Sequence, residues 1–286
     1  MAAAENYSVF GRVTPDRKKL LIRSMKEHGH TVAMTGDGVN HVLAMKEADC
    51  GIAMASGAQA ASQVAQLVLL NSDFAAMPGI VDEGRRVINN IQRAASLFLV
   101  KNIFSLGLAI ITCFTTWSYP LMAIHLTLVS ALTIGAPSFV LALEPNYERV
   151  RGKFLPTVLR QALPGGLTNI IAVLTAMALA AAFGADQQQI GTVCTAILAT
   201  NGLLVLFETC KPFDLLRKIL WALMAVGLVG AFCLLGWLFE LYPFNGTTAL
   251  MMLVMCGMTP TVFYAMRRIF DWGDRIFEDL RAKFQK

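Results

Sequence analysis

A glycine-flanked aspartate is the first residue in this sequence whose setting could support chemistry. The stretch TVAMTGDGVNH holds Asp37 between Gly36 and Gly38, and a histidine, His41, follows four residues after the aspartate. Because glycine permits tight turns and close backbone approach, this arrangement can display a carboxylate to a ligand. A GDG triplet alone is more often only a turn, so the surrounding elements must decide between the two interpretations.

The segments around Asp37 alternate between strand and helix patterns. TVAMTGDG begins with a short apolar run typical of a buried strand, VNHVLAMKEA has helical spacing, and CGIAMA and LVLL are further short strands separated by the helix AQAASQVAQ. An earlier segment, PDRKKLLIRSMKEHG, places Pro15 in the first turn of a helix. This alternation predicts a parallel, doubly wound α/β sheet, in which ligands bind at the carboxyl ends of strands, where Asp37 lies.

Composition divides the chain into two regions. Hydrophobic residues make up 56% and charged residues 15% of the 286 residues, with a mean hydropathy of +0.56, which indicates a membrane protein. Residues 1–93 have the composition of a soluble domain, whereas 94–266 consist mostly of long apolar runs. The six cysteines lack the paired spacing of a zinc site or a disulfide framework, and we interpret them as packing residues. The amino terminus lacks a signal-peptide pattern.

Six segments are long and apolar enough, or nearly so, to cross a bilayer, which takes about 20 residues per helix. They are 96–116, 121–143, 163–183, 190–207, 219–239 and 247–266. Lysine and arginine occur only in alternate loops, so the positive-inside rule predicts that these loops and both termini are cytoplasmic. This placement of the basic residues also accounts for the net charge of +5 without a nucleic-acid partner. The basic residues that flank the spans are Arg85, Arg86, Arg93, Lys101, Arg149, Arg151, Lys153, Arg160, Lys211, Arg217, Lys218, Arg267, Arg268, Arg275, Arg281 and Lys283.

Taken in order, these motifs resemble the carboxyl-terminal portion of the P-type (E1-E2) cation-transporting ATPases. The stretches VFGRVTPDRKK, TGDGVN, ADCGIAM, QLVLL and EGRRVINNIQRAASLFLVKNIF precede the six apolar spans. The resemblance implies that 1–80 is the carboxyl-terminal part of a cytosolic phosphorylation domain with an α/β, haloacid-dehalogenase-like fold. It also implies a helical stalk at 81–95, a six-helix transmembrane domain at 96–266 and a cytosolic tail at 267–286. A single long helix is expected to lead from the stalk into the first span.

The resemblance also implies roles for individual residues of the first region. Asp37 would bind the Mg²⁺ that neutralises a phosphoryl group, and Asn40 would hydrogen-bond in the same phosphate and metal network without binding the ion directly. Lys18 would contact the phosphorylated aspartate, so Lys18, Asp37 and Asn40 are the candidate catalytic residues. These roles suit phosphoryl transfer, which depends on positioning and on electrostatic stabilisation by a metal and a cation. The remaining phosphate-loop residues are Thr35, Gly36 and Gly38.

The sequence departs from the family pattern in two ways. His41 occupies the position of an expected aspartate, and a neutral imidazole is a poor substitute for a carboxylate near the hard cation Mg²⁺. Gln59 and Asn71 likewise stand where acidic residues are expected. No DKTGT-type acceptor motif occurs in the chain, nor do the nucleotide-binding domain, the actuator loop or the first four spans. The chain alone is therefore expected to be inactive, and Mg²⁺ with ATP would act in the complete pump.

Candidate ion-pathway residues lie within the spans. In the family, cations bind among helices that include the first two spans of this chain, where the polar candidates are Asn102, Ser130 and Thr133. Glu208, at the end of the fourth span, is a further candidate, although a charge so near the interface is able to snorkel. Packing of small polar residues between helices is the competing interpretation of the hydroxyls. Other polar residues of the first two spans are Ser105, Thr127 and Ser138, with Pro137 able to free backbone carbonyls.

The resulting hypothesis is the carboxyl-terminal part of an ATP-driven P-type cation pump, multi-pass in the cell (plasma) membrane. Its expected partners are the lipid bilayer, a transported inorganic cation and the missing amino-terminal portion. The alternative is a non-catalytic remnant or accessory membrane subunit that binds an intact pump. A membrane-anchored phosphatase of the dehalogenase superfamily would need its own acceptor aspartate, and the sequence contains no such motif.

Overall fold

The computed structural model describes residues 6–150 and 152–284, with side chains described to residue 276 except at 274. Arg151 and the side chains of Arg281 and Lys283, three of the basic residues named above, therefore lie outside the described part. The chain divides after Glu83 into two compact units, each with its own core.

The first unit contains a small parallel sheet with helices between its strands. Its elements are α1 (Pro15–Glu27), β1 (Ala33–Gly36), a 3-10 turn (Val39–His41), α2 (Val42–Glu47), β2 (Cys50–Met54), α3 (Gln59–Val64) and β3 (Leu67–Leu69). The strand order is β1-β2-β3, and both neighbouring pairs are parallel. The predicted parallel sheet and its alternation with helices are confirmed, and Pro15 begins α1 as expected.

The core of the first unit is built from a few buried residues on the helices and strands. Ile22 of α1 packs against Ala44 and Ala48 beside α2, and a second cluster centres on Met45 and Ala53. A strand of four residues cannot hold its position by backbone pairing alone, so these contacts fix where β1 ends.

Asp49 ties the connections of this unit together. Its Oδ2 accepts a hydrogen bond from the Val32 amide at 2.9 Å, and its Oδ1 lies 3.1 Å from Lys26 Nζ. The hydrogen bond from Val32 and the Lys26 ammonium hold the pKa of Asp49 below its usual value. The carboxylate thereby links the end of α1, the entry to β1 and the turn before β2.

Within the described residues, the structure contains six helical segments long and apolar enough to span a membrane, which confirms the predicted number. The predicted long helix is also confirmed, because α4 is continuous over 38 residues from the stalk region into the first span. The fifth span ends at Leu234, earlier than the predicted residue 239, because a turn begins there. Seven α-helices form the six spans, because α5 and α6 together make up the second span: α4 (Met77–Phe114), α5 (Ala123–Ser130), α6 (Ala136–Leu143), α7 (Phe154–Phe183), α8 (Gln187–Thr209), α9 (Leu215–Leu234) and α10 (Gly246–Phe284).

Helix α8 is the most enclosed of the spans among the described residues: 67% of its most apolar 18-residue stretch is buried. Glycines let its neighbours approach closely: a Cβ at Gly202 would press on Thr133, and one at Gly166 of α7 would press on Ile103 of α4. In a bilayer, where lipid tails are as apolar as leucine, such small-residue contacts contribute much of the packing between helices.

The second span is interrupted in its middle. A π-helical segment, Ala131–Gly135, separates α5 from α6, and Pro137 follows it. Proline lacks a backbone N–H, so the ordinary helical hydrogen bond to a preceding carbonyl cannot form at this point. Single π turns within α-helices occur often at functional sites.

Candidate functional site

Asp37 immediately follows the carboxyl end of β1, as the sequence predicted. Its side chain is 74% exposed, whereas its backbone is held firmly, because its carbonyl accepts a hydrogen bond from the Ala58 amide at 2.6 Å. Gly57 lies directly against the same peptide, so that a Cβ there would overlap the Asp37 carbonyl. The loop after β2 therefore clamps the Asp37 backbone and leaves the carboxylate open to solvent.

His41 lies next to this aspartate and underneath the loop. Its Nε2 is 4.0 Å from Asp37 Oδ1, which is too long for a hydrogen bond. Its Nδ1 is buried and has no hydrogen-bond partner among the described residues. A Cβ at Gly36 would collide with the imidazole, so the histidine occupies the space that this glycine leaves. His41 thus packs as a wedge beneath Gly36.

The other predicted loop residues have different surroundings. Thr35 is half-buried in β1 opposite Ile52, and Asn40 is exposed in the 3-10 turn. Lys18 lies near the start of α1, a separate element, and forms no ion pair with Asp37 within the described ranges. The structure therefore brings Asp37, Asn40 and His41 together on one turn. Lys18 lies on a different element and is not paired with Asp37 in the described part of the chain.

Few metal ligands gather at this loop. The part of the chain that the structure describes contains no group of three or more His, Cys, Asp and Glu side chains suited to one ion. Asp37 supplies the loop's single carboxylate, and Gln59 and Asn71, which stand where acids were expected, are exposed. This donor set matches a hard cation that keeps most of its ligands as water or phosphate oxygen.

A small cavity of about 40 Å³ opens among the membrane helices. Ser130 and Thr133, predicted as ion-pathway residues, both line it, together with Lys101. Thr133 belongs to the π segment, and its hydroxyl donates to the Val129 carbonyl at 2.7 Å. The interrupted helix thus lies at the wall of the cavity.

Two asparagines that sequence reasoning missed lie beside this cavity. Asn169 of α7 lines it, and Asn201 of α8 is fully buried. The Asn201 amide donates to Asn169 Oδ1 at 2.7 Å and to the Gly165 carbonyl at 2.8 Å, while its own Oδ1 has no partner within residues 6–150 and 152–284. The available signal was an asparagine in the middle of each apolar run, LTNII and ATNGL.

The remaining predicted pathway residues lie outside the cavity wall. Asn102 is exposed on α4. Glu208 is only 10% exposed and accepts hydrogen bonds from Lys211 at 2.6 Å, from the Tyr264 hydroxyl at 3.0 Å and from Arg267. Glu208 is thus engaged in an ion-pair network at the end of α8. Ser105 and Ser138 are at least partly buried, and Thr127 is exposed.

A second ion-pair network was not anticipated. Glu144, just after α6, is buried and lies 2.9 Å from Arg93 Nη1 and 2.7 Å from Arg217 Nε. Asn90 of α4 donates to the carbonyls of Ala142 and Glu144, at 3.0 and 2.9 Å, and so satisfies the end of α6. This network joins α4, α6 and α9 at one end of the bundle.

The chain is similar in sequence to known proteins of one family, although no protein-family model matches it. The chain is 43% identical to the probable cation-transporting ATPase exp7 of Streptococcus pneumoniae over 228 residues, 77% of this chain and 29% of that protein. It is 43% identical over 226 residues to the calcium-transporting ATPase CtpE of Mycobacterium tuberculosis, covering 73% of this chain and 28% of the relative. Against CtpE of Mycolicibacterium smegmatis the identity is 40% over 257 residues, 84% of this chain and 32% of the relative.

The chain spans about three tenths of the length of these relatives. Together with six helices able to span a membrane, these identities mark it as a multi-pass membrane protein. The chain belongs to the P-type cation-transporting ATPases and corresponds to a carboxyl-terminal portion of them.

Proposed function

We propose that the chain supplies the magnesium and phosphate loop and the last six spans of an ATP-driven P-type cation pump. The observation that carries this proposal is the Asp37 loop, a clamped backbone that presents an exposed carboxylate at the carboxyl end of a parallel strand. In parallel sheets this is where ligands bind. The first unit would be part of a haloacid-dehalogenase-like phosphorylation domain.

The residues of the loop fit Mg²⁺ in one particular mode of binding. Mg²⁺ is commonly held by one or two carboxylates together with waters and substrate phosphates. Asp37 would supply the carboxylate and Asn40 would hydrogen-bond to retained water or phosphate. When bound, the ion would neutralise charge on a phosphoryl group. Neutral His41 leaves this charge balance intact, whereas protonated His41, so close to Asp37, would oppose the metal.

Within the loop, the chain's own residues would mainly position a phosphate. The clamp of Gly57 and Ala58 on Asp37 fixes the carboxylate without using its oxygens. Lys18 would add positive charge from α1 to the same phosphoryl group. The acceptor aspartate would come from the amino-terminal portion of the pump, because the 286 residues contain no DKTGT-type motif. The chain alone would then be inactive.

The membrane cavity would form part of the cation pathway. Its polar wall offers the oxygens of Ser130, Thr133 and Asn169, and Lys101 is the charged residue in its lining. No carboxylate of the described residues lines it, so a cation there would be bound by neutral oxygens. Relatives are named as calcium-transporting ATPases, which makes Ca²⁺ the first cation to test. Asn102 and Glu208 would belong to parts of the cation pathway outside the wall of this cavity.

The proposed topology follows the basic loops. Both termini and every Lys- or Arg-bearing loop would face the cytoplasm, and the protein would reside in the plasma membrane. On this topology Glu208, Glu144 and their arginine partners lie at the cytoplasmic ends of the helices.

Reconstitution with the missing portion tests the proposal. The chain would be co-expressed with the amino-terminal part of ATPase exp7, ending where the match to this chain begins, and ATP-driven ⁴⁵Ca²⁺ uptake would be measured in membrane vesicles. We expect uptake only when both parts are present, and Asp37→Asn should reduce it about a hundredfold. Asp16→Asn, which changes another exposed aspartate of the same unit, is the matched control and should retain uptake. Equal uptake by Asp37→Asn and the unchanged chain would refute the role of the loop.

A second candidate function is an accessory subunit that binds an intact pump. It is favoured by large apolar side chains on one exposed face of α4: Phe98, Leu106 and Ile110 are 51%, 65% and 49% exposed. The same vesicles test it when the chain is added to full-length ATPase exp7. Co-purification with the intact relative, and no complementation of its truncated form, would favour the accessory role.

A further inference from the structure

A polar cleft of about 520 Å³ opens between the beginning of α7, the end of α8 and the middle of α4 and of α10, on the side that the proposed topology places in the cytoplasm. It is separate from the cavity that holds Ser130 and Thr133, although Val205 contributes to both walls. Its charged lining comprises four cationic and three anionic side chains: Arg93, Arg160, Lys211, Arg267, Glu148, Glu208 and Asp271.

The ion pairs in the wall of the cleft contain more cationic than anionic side chains. Glu208 is shared by Lys211 and Arg267, so two cations are paired with one carboxylate. Arg160 also pairs with a carboxylate, that of Asp271, at 3.0 Å. A Lys or Arg that shares its carboxylate keeps donors and charge for a further acceptor.

The inner end of the cleft repeats this pattern. Arg93 shares Glu144 with Arg217, which lies behind the wall, so again two cations are paired with one carboxylate. Glu148, exposed in the lining, offsets one positive charge. Among the described residues, the lining therefore has one more cation than carboxylates and suits a ligand with one negative charge.

An unpaired donor marks where such a ligand would be bound. Gln92 lines the cleft with only 9% of its surface exposed, and its Nε2 has no hydrogen-bond partner in the described part of the chain. A buried amide donor without an acceptor is unfavourable, so an oxygen-bearing ligand that reached Gln92 would supply the acceptor that its Nε2 lacks.

We infer that this cleft binds the phosphate of a phospholipid headgroup, with Gln92, Arg93 and Arg267 as donors. A phosphodiester carries the single negative charge that the lining leaves unmatched. The wall also contains apolar side chains, including Phe263 and Phe270, which suit the glycerol and upper acyl carbons of a lipid. Basic pockets between membrane helices on the cytoplasmic side are places where lipid headgroups bind.

Native mass spectrometry of the full chain in detergent tests this inference. Delipidated protein would be titrated with dioleoyl-phosphatidylglycerol, with dioleoylglycerol, which has the same chains and no phosphate, and with inorganic phosphate. We expect retention of phosphatidylglycerol and no comparable binding of dioleoylglycerol. Arg267→Gln should weaken binding about tenfold, because a charge-assisted hydrogen bond is lost. Arg268→Gln, which changes the exposed neighbour outside the cleft, is the matched control and should bind normally.

Gln92→Leu provides a second readout that keeps the size of the side chain and removes its donor. It should also weaken binding of phosphatidylglycerol, and circular dichroism of each variant reports whether it folds. Equal binding by the unchanged chain, Arg267→Gln and Gln92→Leu would overturn the inference. So would equal retention of dioleoylglycerol, or tight binding of inorganic phosphate without lipid, which would assign the cleft to a free anion. None of these measurements depends on pump activity.

Discussion

Polar side chains are held in opposite ways in the two units. Asp37 is largely exposed, and its position is set by backbone contacts with Gly57 and Ala58. Asn201 is fully buried, and its position is set by side-chain hydrogen bonds to Asn169 and Gly165. Water can form hydrogen bonds with the exposed Asp37 carboxylate. The buried Asn201 amide has to find its hydrogen-bond partners within the protein, because no water surrounds it in the interior of the bundle. An exposed site can therefore lose its side chain without harm to folding, and an enclosed network cannot.

The largest expected effect comes from the enclosed carboxylate of the second unit. Glu144→Gln should lower the free energy of unfolding by about 3–5 kcal/mol, because it removes the buried carboxylate that pairs with both Arg93 and Arg217 and leaves Arg217 only the more distant Asp214. Unfolding of the purified chain by SDS, followed by circular dichroism, measures this change. Asp37→Asn, in contrast, should alter stability by less than about 0.5 kcal/mol, since its side chain is solvated.

Similar stability losses in these two variants would break the comparison. Glu148→Gln serves as the control within the second unit, because this nearby glutamate is exposed and should be close to neutral.

The next effect tests the packing beneath the phosphate loop. Gly36→Ala should destabilise the chain by about 1–3 kcal/mol, because the added methyl group meets the Cβ and the ring of His41. His41→Gly in the same chain removes both the Cβ and the ring and should relieve most of the loss, and chemical denaturation of the single and double variants gives the coupling energy. Gly79→Ala, where the added methyl group meets open space, should be neutral or stabilising. Additive effects at Gly36 and His41 would show that the His41 side chain is not the obstacle.

A smaller loss is expected at the asparagine pair between α7 and α8. Asn201→Leu should cost about 1 kcal/mol, because hydrogen bonds between membrane helices are individually modest. Unfolding in SDS of Asn201→Leu, Asn169→Leu and the double variant measures the coupling between them. A coupling energy of zero would mean that the two amides do not depend on each other.

The smallest effect is a pH dependence in the exposed connections of the first unit. The pKa of Asp49 is lowered in the folded chain, so its contribution to stability is present above its ordinary pKa of 3.8 and is lost as the pH falls through the lower, folded value. Denaturant unfolding across this acid range should show a shallower decline for Asp49→Asn than for the unchanged chain. Asp16→Asn is the control, and an identical decline in all three chains would contradict the role of Asp49.

Much of the architecture could be predicted from local patterns. The β1 strand, the Asp37 turn and the six spans each follow from residues that are adjacent in sequence, and Pro15 marked the start of α1. Hydrophobic length is a strong signal because the bilayer demands it.

Contacts between distant residues could not be predicted in the same way. Glu144 pairs with Arg93 and Arg217, which are 51 and 73 positions away from it in the sequence. The local stretch LALEPN does not indicate which arginines Glu144 contacts. His41 was recognised as unusual, but its packing against Gly36 depends on a turn conformation that the sequence does not specify. The asparagines of α7 and α8 were visible as polar interruptions, although their pairing needed the helix register.

The π segment in the second span has a consequence for chain length. One residue beyond the α-helical repeat rotates every following side chain by about 100° around the axis. Deleting a single residue between Ala131 and Gly135 would restore an uninterrupted helix and turn Glu144 away from Arg93 and Arg217. A one-residue gap in this helix would thus disconnect the far end of α6, even though every remaining side chain kept its chemical identity.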